Sequence, residues 1–109
     1  MCFFKKRKIA EKTQDDRELI AINFKAVDAL IALAKDDADM IEALKDLQEK
    51  IKYLIPSNSS KVIDFDKHIK HKIDDLRVVL IKSDSAVKSD VEKLIVDIKV
   101  VIADRNTQL

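Results

Sequence analysis

Glycine is absent from the 109 residues, and the only proline, Pro56, stands close to the midpoint. Chemistry that needs a backbone at positive φ, or one pressed close against a ligand, is excluded. No glycine-rich phosphate loop, dinucleotide fingerprint or nucleophile elbow can be assembled here. Tryptophan is also missing, and four Phe with one Tyr leave little material for an aromatic ligand cage. Cys2 is the lone cysteine, so neither an intramolecular disulfide nor a cysteine-based zinc site is available, and a reducing, cytoplasmic setting is expected. The longest uninterrupted apolar run, residues 29–34, spans six residues, far below the roughly 20 that cross a bilayer.

What remains is an aliphatic, highly charged chain, 47% hydrophobic and 38% charged, which suits interdigitated helix packing. The net charge of +1 hides an asymmetry. Residues 1–12 hold five Lys/Arg against one Glu, whereas residues 13–109 hold 16 Lys/Arg against 19 Asp/Glu. Residues 1–12 therefore read as a basic, flexible leader, and residues 13–109 as a single helical domain. In the leader Phe3 and Phe4 precede the cations, the reverse of the order in a secretory signal.

Apolar spacing predicts four helices, over about 14–35, 38–55, 60–82 and 86–105. Thr13 is read as the first N-cap, with Asp15, Asp16 and Glu18 near the positive end of the dipole. Helix one is apolar almost all round, which predicts cover on most of its sides. The stripe of Met40, Leu44, Leu47, Ile51 and Leu54 is rotated from that of helix one, so a break is expected near residues 36–38. Pro56 and the following Ser57-Asn58-Ser59-Ser60 end helix two and cap helix three. Val62, Phe65, Ile69, Ile73, Leu76 and Leu80 mark the core face of helix three, and Val87, Val91, Leu94, Ile98 and Val101 or Ile102 that of helix four. Helix four starts between the two candidate caps Ser85 and Ser89. Short connections favour an all-α, antiparallel up-and-down four-helix bundle. The alternative is a three-helix bundle in which helices one and two fuse into a bent rod.

Candidate chemistry is sparse. Asp64, His68, His71 and Asp75, at offsets of four, three and four, lie on one stripe of helix three and form the best metal-ligand pattern in the chain. That stripe turns away from the apolar face, so solvated side chains are the expected outcome and no metal or cofactor is assigned. Nothing arranges a base beside Cys2 or a carboxylate in a cleft, so no enzymatic activity is expected. Asn23 and Arg77 sit among apolar neighbours and are expected to be partly buried, fixing register.

Three functional readings follow. Surplus apolar positions, Ile22 and Leu33 on helix one and Val96, Val100 and Ala103 on helix four, exceed what one core stripe per helix requires. They point to a non-catalytic interaction or scaffold module, either a homo-oligomer or a binder of another helical protein. Phe3 and Phe4 beside Lys5, Lys6, Arg7 and Lys8 suit weak contact with an anionic membrane surface, as in a peripheral adaptor. The third is a metal-binding bundle using the His/Asp stripe. Nucleic-acid binding is not expected, because the body is acidic and offers no basic recognition helix.

Overall fold

A computed structural model describes the backbone of residues 2–35, 37–82 and 87–109, and the side chains of residues 16–35, 37–82 and 88–109. Among the described residues four helices, α1 (Cys2–Ala34), α2 (Ala38–Lys52), α3 (Ser60–Ile81) and α4 (Val87–Asn106), form a four-helix bundle. α1 starts at Cys2 rather than near Gln14. Nothing in residues 2–13 stops a helix: they contain no glycine or proline, and Lys5, Lys6, Arg7, Lys8, Ala10, Glu11 and Lys12 favour one. The stretch read as a leader is thus helical. With 33 residues, α1 is about 50 Å long, and the long axis of the molecule measures 58 Å.

The break before α2 is where stripe phase placed it. Lys35 has φ of 39°, the left-handed conformation usually left to glycine at a helix end. Asp37 then caps α2, its Oδ1 accepting from Met40 N at 3.1 Å. α2 ends at Lys52, three residues earlier than spacing suggested, because Ile55 precedes Pro56 and is pushed out of helical geometry. Ser59 holds the N-cap position of α3 without a side-chain cap bond. It is the hydroxyl of Ser57 that accepts from Ser59 N, at 3.1 Å.

Helix neighbours are α1 with α2, α2 with α4, α4 with α3 and α3 with α1. Chain direction alternates along the sequence, yet α2 and α3 lie on a diagonal, and residues 53–59 cross one end of the bundle to join them. Seven residues are enough to span that diagonal, so sequence neighbours need not pack side by side here. The bundle is thus two antiparallel hairpins, α1–α2 and α3–α4, laid against each other. α1 runs parallel to α3, since Asn23 meets Asp66 and the α1 segment around Leu33 meets Arg77. α2 runs parallel to α4, as the ion pairs Asp39–Lys88 and Asp46–Lys99 require. Two layers result, α1/α3 and α2/α4.

Between the layers Val27, Leu30, Leu44, Leu47, Ile51, Ile69, Ile73, Leu76 and Ile98 are buried. On α4 the core line runs through Ile95, with Leu94 only half-buried. Helix α1 is not covered on most sides. It occupies a corner, touching α2 and α3, and Ala21, Ile22, Ala29, Ala32 and Leu33 stay exposed.

Candidate functional site

Two features stand out: a closed ionic cluster at the end crossed by residues 53–59, and aliphatic faces on the outside of both layers.

The cluster is formed by Asp16 and Asn23 of α1, Asp66 of α3 and Arg105 of α4, each with 0% of its surface exposed. Each occupies a core position of its own helix: 16, 20, 23 and 27 on α1, 62, 66, 69 and 73 on α3, and 98, 102 and 105 on α4. Arg105 Nε donates to Asp66 Oδ1 at 2.7 Å, and Arg105 Nη2 to Asp66 Oδ2 at 3.4 Å and to the carbonyl of Ile55 at 2.9 Å. Asp16 Oδ2 lies 3.8 Å from Arg105 Nη2 and accepts from the amide of Ser57. Asn23 Nδ2 donates to the carbonyl of Asp66 at 3.2 Å. Asp16 Oδ1, Asn23 Oδ1 and Arg105 Nη1 have no protein partner. Two carboxylates thus share one guanidinium. Burial pushes Asp66 up to about 7, helped by the neighbouring Asp16 carboxylate and opposed by Arg105.

This arrangement ties α1, α3, α4 and the crossing segment together. It was not foreseen, and Asp16, expected near a helix start, lies inside α1. The signal was present as ionisable residues of opposite sign on apolar stripes, Asp66 between Val62 and Ile69 and Arg105 one turn beyond Ile102.

Asn23 is buried as expected. Arg77 is exposed, because it falls beside the core line of α3 and flanks the seam with α1. Asp64, His68, His71 and Asp75 are all exposed. Among the described residues no group of three or more His, Cys, Asp and Glu is placed to hold a metal ion. The side chains of Cys2, Phe3, Phe4, Lys5, Lys6, Arg7 and Lys8 lie outside those described. Among the described residues no helix is long and apolar enough to cross a membrane.

The five residues predicted as a contact surface lie on the outside. On α4 Val96 and Val100 are 57% and 54% exposed, and on α1 Ile22 and Leu33 are 44% and 42% exposed. Ala103 is exposed and borders the α2/α4 seam. Val96 and Val100 form a ridge on the α2/α4 layer. Ala26, Ala29 and Leu33 of α1 face Ile73, Asp74 and Arg77 of α3 across a groove of about 220 Å³ on the opposite layer.

No protein-family model, no curated protein and no solved structure matches the chain.

Proposed function

We propose that the protein is a non-catalytic helical interaction module that associates with itself through its outer aliphatic faces and works in the cytoplasm. The observation that carries this reading is the exposure of Val96 and Val100, each more than half open to solvent on a helix whose core stripe is already buried. A valine ridge of that kind is dispensable to the monomer's core and costs solubility unless a partner covers it. The ionic cluster supports the same reading from the other side. Its titratable groups are fully buried, and Asp16 and Arg105 are bonded to the crossing segment, so they serve the fold and leave function to the surface. Sedimentation equilibrium of the full chain, from low to high micromolar concentration, tests the proposal. Apparent mass is expected to rise with concentration; a monomer throughout sinks it.

A further inference from the structure

Self-association leaves open which face meets which. We infer that the contact is head-to-tail: the α4 ridge of one copy seats in the α1/α3 groove of the next. This inference rests on the self-association proposed above and specifies its geometry.

Placement favours this contact. α1 and α4 lie on a diagonal, and the groove and the ridge belong to opposite layers. A second copy translated across the bundle brings its α2/α4 layer down on the α1/α3 layer of the first. Its α4 then runs antiparallel to both α1 and α3, the relation that α4 already has with α3 inside the monomer. The groove is floored by small and aliphatic side chains, a form that accepts valines better than rings.

Charge favours the same contact. Outside the buried cluster, from Arg17 onward, the α1/α3 layer carries seven cations against five anions, while the α2/α4 layer carries six cations against eight anions. Close to the contact, Arg77 and Asp74 line the groove, and Lys70 pairs with Asp74 at 3.8 Å, which leaves Arg77 as the unbalanced charge on that rim. Asp90, Asp97 and Asp104 stand at seven-residue intervals along one flank of the ridge, with Lys93 between them. Groove against ridge sets opposite charges face to face. Ridge against ridge, in an antiparallel two-fold dimer, sets the row of aspartates against its own copy, which disfavours that pairing. A heterologous contact between opposite layers does not close on itself at two copies, so chains grow beyond the dimer.

Complementation decides the matter. A ridge variant, Val96→Glu with Val100→Glu, keeps its groove; a groove variant, Ala29→Glu with Leu33→Glu, keeps its ridge. Each alone is expected to sediment as a monomer, with helicity checked by circular dichroism. An equimolar mixture is expected to form a dimer and stop there. A groove variant that still associates alone overturns the head-to-tail geometry and leaves self-association standing. A wild-type chain that stays monomeric overturns both. A charge-reversal pair guards against loss of folding, since every altered residue is exposed. Asp97→Lys with Asp104→Lys, and separately Lys70→Glu with Arg77→Glu, are each expected to weaken association about tenfold. Mixing the two is expected to restore it, and absence of restoration overturns the proposal.

Discussion

Arg105 holds Asp66 with its Nε at 2.7 Å and, with Nη2, the carbonyl of Ile55 at 2.9 Å, so one side chain of α4 fastens α3 and the segment that leads into it. Asp16 of α1 closes the arrangement from the other hairpin through the amide of Ser57. Such a cluster contributes less to net stability than to uniqueness, because desolvating three charges offsets most of their attraction.

Removing one partner alone is a different matter. Arg105→Ala leaves two buried carboxylates without a counter-charge and is expected to cost about 3–5 kcal/mol. Urea denaturation monitored by circular dichroism gives the figure, and a loss below about 1 kcal/mol would mean that water reaches the cluster.

Stability depends on pH through Asp66. Its folded-state pKa of about 7 lies above the 3.8 of an ordinary aspartate, so the folded state holds the proton more tightly than the unfolded chain. The cost of burying the ionised form is absent below about pH 4, grows as pH rises towards 7, and is complete above it. Unfolding free energy is therefore expected to fall by at least about 1 kcal/mol between pH 5 and 8 on this account. Asp16→Asn, which removes the neighbouring charge and supplies an amide donor, is expected to flatten that slope. An unchanged slope in the variant refutes the pairing of the two carboxylates.

Lys35 carries the backbone turn at a φ of 39°, where a residue with a Cβ is disfavoured by roughly 1–2 kcal/mol. Lys35→Gly relieves this at the expense of a more flexible unfolded chain, so a net gain of about 0.5 kcal/mol is expected. The melting temperature reports it, and Lys35→Val is expected to lower that temperature.

Asn23 donates to a carbonyl while its own Oδ1 stays unpartnered in the core. Asn23→Leu removes the orphaned acceptor with little change in volume. The variant is expected to lie within about 1 kcal/mol of the parent, whereas Asn23→Asp, which buries a further charge, is expected to cost at least about 3 kcal/mol. Chemical denaturation of both variants checks the contrast.

Stripe phase and polar caps made the four helices legible, together with the break between Lys35 and Ala38, because each helix needs only its own residues to reveal a period. The α1–α3 and α2–α4 pairing was not legible. It depends on which way residues 53–59 leave Leu54, and short-loop reasoning favours the neighbour over the diagonal. The outward faces of Val96, Val100, Ile22 and Leu33 were readable as surplus beyond one stripe. Arg77 was misplaced because its sequence neighbours are apolar, although its angular position lies off the core line. The ionic cluster escaped notice for a related reason. Asp16, Asp66 and Arg105 each look like an isolated interruption of an apolar stripe, and only the fold reveals that the three interruptions meet.

The crossing of residues 53–59 also bears on how the chain reaches its native state. Each hairpin draws on contacts close in sequence and can form early. The ionic cluster needs Asp16 from the first hairpin, Asp66 and Arg105 from the second, and the backbone of Ile55 and Ser57 between them, all at once. Only the Asp66–Arg105 bonds lie within one hairpin; the rest of the cluster forms only when the two come together. Its closure is the step that joins two locally encoded hairpins into one cooperative unit, so conditions that loosen it should let the hairpins part before either one melts.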